Sequence, residues 1–280
     1  MPQNRSNHSF SYRALVLLPL RIAFSLYFAV IFLLFGCIAL LAALILPGLE
    51  RRRAVTRRLA RALLTGAGMP LSVRGLQHVP RGQCVIVANH ASYLDGPVFT
   101  AILPARFAFV IKREAANIPL VGTFLRRIGA HFVERFDRRR GGMDALRVLR
   151  SAAQGHSLVF FPEGTFTPTP GLLRFHSGAF TTAVRAGCPV VPAVVRGTRQ
   201  ALSPQGALPR PVRIDIEFLA PIDPPTGPRA ALMVRDQARA AILAALGEPD
   251  LGQPEEPGPQ SHVAPIAPAD LVQGVGDLTE

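Results

Sequence analysis

No charged residue occurs between Arg21 and Glu50. Residues 22–46 form 25 positions of almost unbroken apolar character, about 37 Å long as a helix against a hydrocarbon core of roughly 30 Å. Pro47 and Gly48 then stop the run. A cleaved secretory leader carries an apolar stretch of only about 7–15 residues, so this one is too long. A helix apolar all round is rare outside a membrane or a large core. The run therefore predicts an N-terminal membrane segment over residues 1–50. It can span as a single helix or enter and return as a helical hairpin. The preceding apolar residues 15–20, with Pro19 as a kink, leave the second form open.

Arg51, Arg52, Arg53, Arg57, Arg58 and Arg61 follow directly. A basic cluster beside an apolar span marks the cytoplasmic side and attracts anionic lipid. The expected location is thus the bacterial inner membrane, with the body facing the cytoplasm. Charge elsewhere is uneven. Residues 62–247 hold 22 basic and 10 acidic side chains, whereas residues 248–280 hold seven acids and no cation. A basic body suits an anionic partner. The last stretch, rich in Pro, Gly and acids, reads as a disordered tail. Cys37, Cys84 and Cys188 have no metal-ligand or disulfide spacing and read as buried small residues.

Between 51 and 247 apolar strand-like runs alternate with helical patterns. Strands are expected near 71–75, 84–88, 107–111, 131–133, 158–161, 189–195 and 212–218, and helices near 54–69, 98–103, 119–128, 142–154, 177–186 and 229–246. Such alternation predicts an α/β fold, a central mixed, mostly parallel sheet flanked by helices.

Two short patterns carry chemistry. The first is Asn89-His90-Ala91-Ser92-Tyr93-Leu94-Asp95, just after an apolar run. A histidine held by a carboxylate is a general base at neutral pH, and strand ends are where open α/β sheets place their sites. Asp95 would fix the tautomer of His90, and Asn89 would order the turn beside the substrate. Ser92 sits in no nucleophile-elbow pattern and reads as a helix cap, so no covalent intermediate on it is expected. The second is Phe160-Phe161-Pro162-Glu163-Gly164-Thr165. Gly164 would let the backbone turn tightly and present N–H groups to an anion, with Thr165 adding a hydroxyl. Arg135, shortly after the strand at 131–133, could grip a phosphate through its planar fork. His176 is a candidate substrate contact; His78 and His156 have no supporting pattern. Residues around 98–103 and 119–124 are candidates for an acyl path or for plain core.

These blocks, in this order over roughly residues 70–220, resemble the lysophosphatidate (1-acylglycerol-3-phosphate) acyltransferase family of glycerolipid acyltransferases. Asn89, His90 and Asp95 match its first block, with the histidine as base. Gly129, Phe132 and Arg135 look like its second, and residues 161–165 its third; both are associated with the acceptor. Val191-Pro192 looks like its fourth. The resemblance implies transfer of a fatty acyl group from acyl-CoA or acyl-carrier protein to a lysophospholipid hydroxyl at a membrane. It implies no cofactor, no metal and no nucleic acid. One departure stands out: many members carry arginine where this chain has Phe166. Arg174 is a candidate replacement among the substrate-binding residues. Otherwise the acceptor is another lyso-lipid, a lyso-aminolipid included. A lipid ester hydrolase and a non-enzymatic basic membrane scaffold are the rival readings.

Overall fold

The computed structural model describes residues 9–134, 138–203 and 208–252, with the side chains of 9–17 and 138–142 left aside. Helix α1 (Ser9–Ile45) is continuous through Pro19. Over Leu18–Ile45 it is long and apolar enough to cross a membrane, among the described residues. One face carries exposed Leu26, Val30, Leu33, Leu41 and Ile45, while Phe28, Ala39 and Ala43 are buried. Cys37, expected to be buried, is exposed on this helix, whereas Cys84 and Cys188 are buried.

Helix α2 (Leu49–Gly66) begins five residues before the expected start at 54. It runs antiparallel to α1. Tyr27 donates to the Gly66 carbonyl at 2.8 Å near one end, and Arg52 Nε to Leu46 O at 2.7 Å at the other. The body follows as β1 (Leu71–Arg74), β2 (Val85–Ala88), α3 (Asp95–Ile102), β3 (Phe107–Lys112), α4 (Val121–Arg127), β4 (His131–Val133), α5 (Arg138–Ala153), β5 (Ser157–Phe160), α6 (Gly178–Ala186), β6 (Val190–Arg196), α7 (Thr198–Ala201), β7 (Ile214–Phe218) and α8 (Ala230–Leu246). All seven expected strands are present, in one sheet of order β1-β7-β6-β2-β5-β3-β4. Only the β6–β7 pair is antiparallel. The sheet is mixed and mostly parallel.

The central strands are apolar throughout because both faces are covered. From β2, Ile86 and Ala88 pack with Leu64, Val98, Phe99 and Phe218 on the α1–α3 side. Val85 and Val87 pack with Phe180, Ala183, Val234 and Ile242 on the α6–α8 side. Pro192 sits in central β6, where a missing N–H would break a ladder. Its carbonyl accepts from Leu219 N at 2.8 Å, just past the end of β7. The absent donor therefore faces the side where pairing with β7 is ending.

Arginines close the helix ends. Arg53 donates to Ile128 O (2.8 Å), Ala105 O (3.2 Å) and Gly129 O (3.1 Å). Arg57 reaches Ala101 O and Ile102 O at the end of α3. Arg127 reaches Ala43 O and Leu44 O at the end of α1. The last carbonyls of a helix have no partner within it and carry its negative dipole end, so a guanidinium there is favoured twice over. Burial pushes the Arg53 pKa down, and three carbonyls hold it in place. We expect Arg53→Ala to lower stability by about 3 kcal/mol, given ~1.5–3 kcal/mol per bond to a charged group with incomplete additivity. Thermal unfolding in detergent would then show a Tm lower by roughly 10 °C. A change of a degree or less would mean these bonds hold nothing together.

Candidate active site

The parallel register carries the two patterns to one place. Val87 of β2 stands opposite Phe160 of β5, so the chain leaves both strands at the same sheet edge. There the His90 and Phe161 rings stack with centroids 4.5 Å apart and planes at 20°.

The five-residue spacing from His90 to Asp95 has a physical cause. Asp95 opens α3, where the helix dipole favours a carboxylate. Its side chain is fully buried and folds back over the preceding loop. One oxygen, Oδ2, accepts from His90 Nδ1 (2.7 Å), Ala91 N (2.7 Å) and Ser92 N (2.9 Å). The carboxylate shapes the loop and holds the ring with one atom. An ionised carboxylate only accepts, so Nδ1 carries the proton and Nε2 keeps a lone pair. The His90 side chain is 19% exposed. Ser92 Oγ donates to Leu202 O (2.7 Å) and accepts from Leu94 N (3.2 Å). It thus braces a turn within the loop and does not cap the helix as expected, since α3 has Leu94 at its N-cap and no side-chain cap bond.

Asn89, expected beside the substrate, bonds to the backbone of β6. It is buried, its Nδ2 donates to Val195 O (3.0 Å), and its Oδ1 accepts from Val195 N (2.8 Å). It ties the end of β2 to β6 and so fixes where His90 starts.

Glu163 is also buried, against the expectation of a substrate contact. Oε1 accepts from His90 N (2.6 Å) and Oε2 from Leu173 N (2.8 Å). It clamps the His90 loop to the loop at 171–174. Burial pushes its pKa up to about 7, while these two N–H groups and Arg199 pull it down and Asp95 adds to the rise. The clamp extends further. Leu172 N donates to Pro249 O (2.9 Å) and Leu251 N to Leu172 O (3.0 Å). Glu248 takes Gly171 N (2.6 Å) and Arg199, and Asp250 pairs with Arg239. Residues 248–252, expected to begin a loose tail, are thus fastened to the site; 253–280 lie outside the described residues.

Gly164 has φ 76°, in the left-handed region that favours glycine. Its N–H closes a turn onto Phe161 O at 3.0 Å. Thr165 next to it is exposed. Phe166 lies edge-on to the His90 ring (4.5 Å, 75°), and Tyr93 lies edge-on to Phe166 (4.8 Å, 89°). An aromatic side chain, not a cation, therefore borders the His90 ring. Arg174 and His176 are exposed on the loop beyond the clamp. His78 and His156 bond to Phe218 O and Ser151 O and are structural.

Gly129 lies elsewhere. It ends α4 at φ 72°, and a Cβ there would meet Arg53 Nη2 at 2.9 Å. Its backbone packs on α2. β4 stands three strands from β2, roughly 14 Å at the usual strand spacing. Glu134 N is fastened to buried Asp144 (3.1 Å), and the next residue, Arg135, lies outside the described residues.

With this geometry in view, comparison with known proteins is decisive. A profile of the acyltransferase family matches residues 70–196. The chain is 32% identical over 201 residues to the lyso-ornithine lipid O-acyltransferase of Pseudomonas aeruginosa, covering 65% of this chain and 75% of that protein. It is 32% identical over 200 residues to 1-acyl-sn-glycerol-3-phosphate acyltransferase alpha of Mus musculus, covering 67% and 69%. The chain belongs to the 1-acylglycerol-3-phosphate acyltransferase family. A chloroplastic acyltransferase of Brassica napus is 36% identical over 130 residues, but the chain spans only 37% of it. The 1-acyl-sn-glycerophosphate acyltransferase of Thermotoga maritima shares the fold, with a TM-score of 0.65 and 22% identity over 80% of this chain and 95% of that one. This acyltransferase is membrane-associated, and α1 is its one described helix long and apolar enough to cross a bilayer.

Proposed function

We propose that this acyltransferase moves a fatty acyl group from acyl-CoA or acyl-carrier protein to the free hydroxyl of 1-acylglycerol 3-phosphate. The observation that carries the reading is the 2.7 Å bond from His90 Nδ1 to Asp95, which leaves Nε2 as the base. Nε2 takes the hydroxyl proton as the acceptor oxygen attacks the thioester carbonyl. The tetrahedral intermediate then collapses, the C–S bond breaks, and the leaving sulfur takes the proton back from the imidazolium. Asp95 stabilises that imidazolium and keeps the ring in register. Asn89 and Glu163 act as positioning residues.

Phe166 against His90 favours a second acceptor class, a lyso-aminolipid, because no cation stands there to grip a phosphate. An acceptor panel separates the readings. Purified protein is given a labelled acyl thioester with lysophosphatidate, a lyso-ornithine lipid or water alone. Labelled phosphatidate with stoichiometric free thiol is the expected product. Acylated lyso-ornithine lipid alone would assign the second class, and free fatty acid from water alone would make the protein a hydrolase.

α1 runs unbroken through Pro19, so no hairpin forms at the kink expected there; the pair is α1 with α2, and its packing supports attachment within one leaflet. α2 lies along α1 from Gly66 to Arg52. A spanning α1 would draw six arginines of α2 into hydrocarbon, at roughly 2.5–3.5 kcal/mol each. A hairpin lying in one leaflet avoids this, and its basic face favours the cytoplasmic leaflet.

A further inference from the structure

Leu120 is the one residue other than glycine with positive φ among the described residues, at φ 62° and ψ −51°. Val121 N donates to Pro119 O at 2.6 Å across it. This is the rare, strained form of the γ-turn. The surroundings enforce it. Gly122 N donates to Ile118 O (2.8 Å), Phe124 N to Leu120 O (2.8 Å) and Arg126 to Ala116 O (3.1 Å). Gly122 sits so close to Ala116 that a Cβ would fall 2.1 Å from its carbonyl oxygen. The strained turn lifts apolar side chains into the open: Ile118 is 52% exposed, Leu120 67% and Val121 44%. A strained backbone holding a leucine in water is unfavourable twice, and such strain gathers at functional sites. The tip lies past the end of β3, two strands from β2 and so on the His90 edge of the sheet.

We propose that residues 118–121 are a second lipid-contacting element, which enters the bilayer surface beside the site. This rests on the reading that α1 is in the membrane. Two observations choose lipid as the occupant. α4, which the turn opens, is bonded at its far end to the last carbonyls of α1 through Arg127; seven residues of helix put the tip about 10 Å away. Its flanks carry Lys112, Arg126 and Arg127 against one acid, Glu114, a balance that suits anionic headgroups. The tip would then hold the lipid surface at the edge where a bilayer-dissolved acceptor must leave it.

The chain has no tryptophan, so single reporters are clean. Leu120→Trp, Leu33→Trp on α1 and Met233→Trp on α8 are each reconstituted in vesicles with brominated acyl chains and anionic headgroups. The Leu120 and Leu33 reporters are expected to be blue-shifted and quenched by about half or more, the Met233 reporter not. Quenching at Leu33 without quenching at Leu120 overturns the proposal alone; no quenching at either overturns membrane attachment by α1 as well. A blue shift at Leu120 that follows protein concentration without lipid gives the tip to a second copy and also overturns it. Leu120→Gly relieves the turn, so its fold is not weakened. Its rate on vesicle-borne acceptor should fall about tenfold, the scale of one leucine leaving lipid, with a water-soluble short-chain acceptor unaffected. Equal loss on both acceptors would refute the lipid role.

Discussion

Replacing His90 with alanine lowers kcat by about three orders of magnitude, within the 10²–10⁴ range for a positioned general base, and leaves membrane attachment unchanged. The fold should survive because the ring is partly exposed and its loop has other anchors. Ala91 N and Ser92 N still bond Asp95, and His90 N–H, a backbone group, still bonds Glu163. The stacked Phe161 loses one neighbour but remains packed on Phe99 (5.7 Å). The measurement is thiol release under saturating thioester and acceptor, with vesicle flotation as the control. Turnover within tenfold of wild type would remove His90 from the chemistry and require another base.

Glu163→Gln tests the clamp that the structure shows and sequence alone did not. Each carboxylate oxygen of Glu163 accepts from a backbone N–H, one on the His90 loop and one on the 171–174 loop. A glutamine presents one oxygen and one N–H, so one bond becomes a donor facing a donor. Losing a bond to a charged group is worth ~1.5–3 kcal/mol, and each 1.4 kcal/mol is tenfold in rate. We expect kcat to fall roughly 10- to 100-fold with acceptor KM within about twofold. A raised KM at unchanged kcat would instead return Glu163 to the acceptor site. The variant also has a stability signature. A buried acid with its pKa raised from 4.5 to about 7 holds more protons folded than unfolded across that window. Stability from this group is therefore greatest below pH 4.5 and declines as pH rises to about 7, by on the order of 3 kcal/mol. Glutamine cannot titrate, so the decline between those pH values should flatten.

Why the His90–Asp95 contact was legible in the sequence and the Glu163 clamp was not is a matter of distance along the chain. The His90–Asp95 bond is local, set by a loop of five residues and the first turn of α3. The strands were legible because β2 and β6 are buried on both faces and read as unbroken apolar runs, while β7 alternates buried and half-buried positions. Asn89, Glu163 and Gly129 meet partners 106, 73 and 76 residues away. Polar side chains near a substrate and polar side chains that clamp backbone look alike until burial is known. The start of α2 was hidden for the same reason: Arg52 and Arg53 read as a charged flank, yet they serve carbonyls on other helices. Phe166 was legible as a departure, but its place on His90 was not. The extension of order to Gly252 was masked by a composition of Pro, Gly and acids.

The position of β1 bears on how the molecule is made. Among the described residues its sole sheet neighbour is β7, pairing Leu71 with Ile214, about 140 residues further on. At ~5–20 residues per second, a ribosome needs roughly 7–30 s to deliver that partner. The apolar N-terminus emerges long before, so the nascent chain can reach lipid while its first strand still waits, one edge open, for the last to arrive.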